Sequence, residues 1–164
     1  MIDLNNTEVE KIEQSDFLKF SEIYYPKILK DNFVISLPVL VRDDETIFLG
    51  ALSNMLGVFP ARYYTGFFSK TKSKIRKWPI KYSIHDVLKC KVPDFAIMDS
   101  SEKGVILAGL PQETDKQAAK LLGLEWKDVA HLKLVEEMFL EDAIRKEKQE
   151  NKEKQEEAIP NVIN

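Results

Sequence analysis

Residues 33–41 read FVISLPVLV. Every odd position in this stretch is apolar (Phe33, Ile35, Leu37, Val39, Val41), and a period of two is the spacing of a strand, whose successive side chains point to opposite faces. Pro38 has no N–H to give a ladder, which favours a sheet edge or a bulge. The polar run Arg42, Asp43, Asp44 and Glu45 follows, and residues 47–52 form a second apolar run, so the two strands read as a hairpin.

Working outward from this hairpin, the aromatic-rich residues 62–68 read as a third strand, and Ile80, Tyr82 and Ile84 alternate across a fourth. The end of the fourth is ambiguous, because Ser83 and Asp86 also suit a short helix reaching Lys89. Residues 95–98 and 105–110 are two more short apolar runs, separated by a turn-like cluster that ends in Gly104. Thr7 and Glu10 have capping-box spacing, and Ile12, Phe17, Phe20, Ile23 and Tyr24 give an approximate helical stripe, which predicts an N-terminal helix ending near Pro26. Pro111 stops the last strand before a helix over residues 112–122, with Gly123 placed as its C-terminal cap. A final helix starts near Trp126, with Trp126, Val129, Leu132, Val135, Phe139 and Ala143 facing inward. The expected fold is α+β: an N-terminal helix, a mostly antiparallel sheet of five or six short strands, and two C-terminal helices.

The chain has 164 residues, which suits one domain over residues 1–144. Residues 145–157 hold five basic and five acidic side chains and no apolar one. A helix there has nothing to bury, so residues 145–164 read as a charged, fraying extension. The N-terminus is acidic and lacks an apolar run, and the apolar stretches elsewhere are about half of a membrane span, so the expectation is a soluble cytoplasmic protein without membrane contact. The single cysteine, Cys90, fits a reducing compartment.

The informative anomaly is electrostatic. Between Thr46 and His85 there is no acidic residue, yet there are seven basic ones: Arg62, Lys70, Lys72, Lys74, Arg76, Lys77 and Lys81. The whole chain carries −3, so the remainder is strongly acidic. Tyr63, Tyr64, Phe67, Phe68, Trp78 and Tyr82 are interleaved with these cations, and cations for phosphates beside aromatic faces for bases are the chemistry of single-strand binding. Lys70, Lys72, Lys74 and Arg76 fall on alternate residues and share one face if extended. A solvated loop with core aromatics accounts for the same residues.

Reacting groups are scarce. His85 and Cys90 lack a third orienting group, and two histidines with one cysteine fall short of a typical structural zinc site, so no catalytic residue, metal or cofactor is expected. Residues 92–99 followed by 105–109 resemble in outline the hairpin of PD-(D/E)xK nucleases, in which an Asp on the first strand and a Glu-x-Lys on the second hold magnesium. Leu107, Ala108 and Gly109 stand where the Glu-x-Lys belongs, which argues against an active nuclease. The expectation is therefore a small non-catalytic binding or regulatory protein. Its nucleic-acid or polyanion surface is the segment 62–82, with Arg62, Tyr64, Lys70, Lys72, Lys74, Arg76, Lys77, Trp78 and Lys81 as contacts. The alternative is a protein–protein interaction module, such as an inhibitor, an immunity-type protein or an assembly factor.

Overall fold

The computed structural model describes residues 1–65, 74–76 and 79–157. It is a mixed helix and sheet protein, in keeping with the expected α+β class. Among the described residues the strands form three small sheets instead of one sheet of five or six strands. Strand β1 (Val9–Ile12) pairs antiparallel with β2 (Ile23–Pro26), which leads into the single helical turn α1 (Lys27–Lys30). Strand β3 (Ile35–Ser36) lies parallel to β6 (Phe95–Ser100), β6 lies antiparallel to β7 (Val105–Gly109), and β4 (Val41–Asp43) forms a separate hairpin with β5 (Ile47–Leu49). The helices are α2 (Ala61–Tyr64), α3 (Ile80–Cys90), α4 (Pro111–Leu121) and α5 (Ala130–Glu157). None of them is long and apolar enough to cross a membrane.

The N-terminal helix expected from residues 7–26 is not formed. Ile23 and Tyr25 are buried on alternate positions of β2, and the loop before them is held from a distance. The carboxylate of Asp86, fully buried on α3, accepts from the backbone amides of Leu18 (2.8 Å), Lys19 (2.7 Å) and Phe20 (2.9 Å). These amides are the donors a helix would have used, and a buried acceptor gives them a charge-assisted alternative.

The fourth expected strand is the other correction. Ile80, Ile84, Val87 and Leu88 are buried together, which is helical spacing, and Ser83, His85 and Asp86 are buried beside them. Pro79 precedes the helix without a side-chain cap; the Glu45 carboxylate from the β4–β5 turn accepts from the Ile80 amide instead. In the third expected strand, residues 61–64 form the helical turn α2, and residues 66–68 lie outside the described residues.

The C-terminal half follows the expected order more closely. Gly104 and Gly123 adopt φ of 73° and 76°, the left-handed region that glycine enters without a Cβ penalty, at the β6–β7 turn and behind α4. Val129, Leu132, Val135 and Met138 are buried and fasten α5 to the core, each burial stabilising by roughly 1.5–3 kcal/mol. Trp126 is only partly buried, flanked by the Lys116 and Lys127 ammonium groups over its ring, and Ala143 is exposed. From Arg145 to Lys154 every side chain is exposed, although the helix continues to Glu157.

A second buried carboxylate ties α4 to the middle of the chain. Asp115 accepts from the amides of Ala51 (2.6 Å) and Leu52 (3.0 Å), and it approaches Gly50 so closely that a Cβ there would lie 2.3 Å from Asp115 Oδ1. Pro111, Thr114, Asp115, Ala118 and Ala119 are the buried residues of α4, and this mostly small set brings the helix close to one face of β6 and β7.

Replacing Asp86 with Ala leaves three backbone amides without their acceptor. The expected loss is about 3 kcal/mol or more, at roughly 1–3 kcal/mol per unsatisfied group. Urea denaturation measures it, together with loss of hydrogen-exchange protection at Leu18, Lys19 and Phe20. Wild-type stability in Asp86→Ala would show that the loop does not depend on this carboxylate.

Candidate functional site

The pleat of the β3–β6–β7 sheet sorts its side chains into two rows. Val34, Ser36 and Pro38 from the β3 segment, with Ala96, Met98 and Ser100 from β6, are buried on the inner row. Phe33, Ile35, Leu37 and Val39 stand on the other row beside Ile97 and Ile106. All six are between 40% and 71% exposed. The register is constant along the parallel pair, from Ile35 opposite Phe95 to Val39 opposite Asp99. Across the antiparallel pair, Ala108 stands opposite Ile97 and Ile106 opposite Asp99, so the outward row is apolar apart from the Asp99 carboxylate, which stands between Val39 and Ile106.

Monomeric proteins seldom leave more than a few hundred Å² of contiguous apolar surface open. A fully exposed Phe side chain offers roughly 150–250 Å² and Val, Leu and Ile somewhat less, so six side chains at these exposures leave on the order of 500 Å² in the open. One end of the surface carries both signs of charge, with Arg42, Asp99, Glu102 and Lys103 exposed around a shallow hollow. The carboxylate of Asp99 accepts from the Ser101 amide (2.8 Å), and hydrogen bonding from Ser101 holds its pKa below the ordinary range.

The basic segment is only partly described. Lys70, Lys72, Lys77 and Trp78 lie outside the described residues. Arg62 is exposed but engaged: it donates to the Thr7 carbonyl (3.1 Å), and its guanidinium sits 5.0 Å from the Tyr63 ring centroid. Tyr64 is buried at 4% exposure, its hydroxyl accepting from the Tyr24 amide (2.6 Å) and its ring packed edge-on to Phe59. Tyr63 stacks face to face on Tyr24 at 4.4 Å. Both tyrosines are therefore engaged within the fold, Tyr64 by burial and Tyr63 by stacking on Tyr24. Lys74 and Arg76 are exposed on either side of fully buried Ile75, and Lys81 lies 5.1 Å from the Tyr82 ring centroid.

The remaining polar candidates are occupied or desolvated. His85 Nδ1 lies 2.8 Å from Asp86 Oδ1, and the Cys90 thiol points to the Asp86 carbonyl at 3.6 Å. Burial pushes the Cys90 thiol up to about 12, so it stays protonated at neutral pH and is no nucleophile. Among the described residues no group of three His, Cys, Asp or Glu side chains is placed to hold a metal ion. The outline likeness to a nuclease hairpin stops at the strands: Asp94 caps the Val34 amide (2.7 Å), and Leu107, Ala108 and Gly109 supply no ligand.

His131 is fully buried, edge-on to Phe48 at 5.6 Å, with neither ring nitrogen in a hydrogen bond of normal geometry, although the Thr46 backbone is close enough to favour its charged form. Burial dominates and lowers its pKa to about 4.

The open sheet row is the functional candidate that sequence reasoning missed. Its signal was present, because Val34, Pro38 and Leu40 make the even positions of the same stretch largely apolar too. A strand apolar on both faces has one more face than a single core covers. Comparison with protein-family models, with curated proteins and with solved structures returns no match to this chain.

Asp16, Glu22, Asp43, Asp94 and Asp99, whose pKa values are all lowered, contribute stability that is lost in acid, and two buried groups with opposite shifts act above that range. Burial raises Asp115 to about 7, so the folded state keeps a proton that the unfolded chain releases between about pH 4 and 7. Stability from this group falls as pH rises through that window. His131 acts oppositely: below about pH 6.5 the unfolded chain takes up a proton that the folded state refuses down to about pH 4. Its contribution rises with pH, and each group has a slope of up to about 1.4 kcal/mol per pH unit. Wild-type stability is therefore expected to be nearly flat between about pH 4.5 and 6.5. His131→Phe removes one slope and leaves stability falling as pH rises, read by urea denaturation at several pH values. A flat or rising profile in the variant would contradict this.

Proposed function

We propose that this chain is a non-catalytic protein-interaction module whose docking surface is the outward face of the β3–β6–β7 sheet. The observation that carries this reading is the apolar row of Phe33, Ile35, Leu37, Val39, Ile97 and Ile106, with Asp99 between Val39 and Ile106, left open on one side of a sheet whose other side is packed. Each of these side chains is worth burying, and nothing in the rest of the described chain buries it. Depletion of charge at the centre with mixed charge at one edge is the usual anatomy of a protein interface. The high pKa of Cys90 and the engagement of His85 with Asp86 support a binding role over a nucleophilic one.

A second reading keeps the basic segment 62–82 as a polyanion or nucleic-acid surface. It is favoured by the charge segregation and by the exposure of Lys74 and Arg76. The burial of Tyr64 weakens it, since it leaves half-buried Tyr82 beside Lys81 to offer a ring face in place of Tyr64.

One experiment separates the two. A photo-crosslinking amino acid is placed at position 37 or 106, with a control at exposed position 147 on α5, in cells that make the protein naturally. The docking reading predicts one discrete protein adduct from 37 and 106 and none from 147. The adduct should be lost on Ile35→Lys and kept on Lys74→Ala with Arg76→Ala. The polyanion reading predicts nucleic-acid recovery that falls steeply with salt and is lost in the Lys74, Arg76 double variant. Equal adduct yields at 37, 106 and 147 would refute the docking surface.

A further inference from the structure

We infer that the occupant of this sheet face is a second copy of the same chain, docked face to face about a two-fold axis. The inference rests on the docking reading above and names its partner. Two features of the face select a second copy. The first is area. A stable interface takes roughly 600–1,000 Å² from each partner, and the six outward side chains supply on the order of 500 Å² before the flanking Val41 and Leu110 are added. Both of these are also exposed. A face-to-face pair thus reaches the lower end of the range of a standard dimer interface.

The second is charge. The face is apolar apart from Asp99, which stands between Val39 and Ile106 at its polar end, so it does not select a strongly acidic or basic partner. Its polar end has two cations, Arg42 and Lys103, and two anions, Asp99 and Glu102. A two-fold interface brings the same patch together with itself, so only a patch holding both signs can pair its charges that way. The packing is also of a known kind. Sheets stack about 10 Å apart with interdigitating side chains. Outward rows of Ile, Leu and Val provide such a layer, and α4 already covers the opposite face of each protomer. The assembly is then a double sheet with a helix on each outer side.

The test is the mass of the full-length protein by sedimentation equilibrium between about 1 and 100 μM, a range that spans micromolar dissociation constants. The wild type is expected at twice the 18.9 kDa chain mass at the upper end and to dissociate on dilution. Leu37→Lys and Ile106→Glu, each at an exposed position, are expected to remain monomeric throughout with unchanged circular dichroism. Wild-type protein that stays monomeric at about 100 μM overturns the second-copy inference, as does a dimer that persists in both variants. Hydroxyl-radical footprinting then separates the causes of a monomeric result. Oxidation at Leu37 and Ile106 in that monomer means the face is open for a different protein, so only the second copy is refuted. Protection there means another part of the same chain covers the face, and the docking reading fails with it.

Discussion

The parallel pairing of β3 with β6 is the constraint on which the rest depends, because it decides which row of residues 33–41 faces the core. Asp99 donates its amide to the Pro38 carbonyl (2.9 Å), and its own carbonyl accepts from Leu40 (2.8 Å). Pro38 is tolerated because the pair needs its carbonyl and not an N–H, and because no strand among the described residues lies on the other side of β3. A slip of one residue would exchange the two rows entirely. Polar anchors on the inner row prevent it. Ser36 donates to the Ala51 carbonyl (3.1 Å) and accepts from Asn54 (3.0 Å), while Asp94 holds the Val34 amide. Bringing Ile35 or Leu37 inward would leave these groups without partners, which costs more than the apolar contact returns.

Two buried carboxylates do for the loops what regular structure does elsewhere. Asp86 gathers three amides from residues 18–20, and Asp115 gathers two from residues 51–52. Each replaces a local hydrogen-bond pattern with a bond to a residue more than sixty positions away. The cost is a buried charge. For Asp115 that cost shows as a raised pKa, and Gly50 is required so that the carboxylate can reach its amides at all.

What the sequence made legible follows from the range of the forces involved. The β6–β7 hairpin, α4 and α5 were readable because alternation, Gly104, Pro111, Gly123 and the Val129–Leu132–Val135 spacing act within a few residues. The N-terminal helix was misread because the Asp86 carboxylate competes for the amides of residues 18–20 from far along the chain. Residues 80–84 were ambiguous because Ile80 and Ile84 satisfy a period of two and a period near four equally well. The charge segregation of segment 62–82 was visible in composition alone, whereas the burial of Tyr64 depends on Tyr24, forty positions away. The outward apolar row was visible as a pattern but not as a surface, since periodicity assigns residues to two faces without saying which one the core covers.

In the proposed assembly the odd row of residues 33–41 is open on the protomer and closed by association. Alkylation of a single thiol reads this directly. Leu37→Cys and Ser36→Cys would each be made in a Cys90→Ala background and labelled across a range of protein concentrations. Rapid labelling is expected at position 37 in dilute solution, with growing protection there as concentration rises and protection at position 36 throughout. Rapid labelling at 36 with protection at 37 in dilute solution would mean that the sheet faces the other way, and the interface placed on it would not exist.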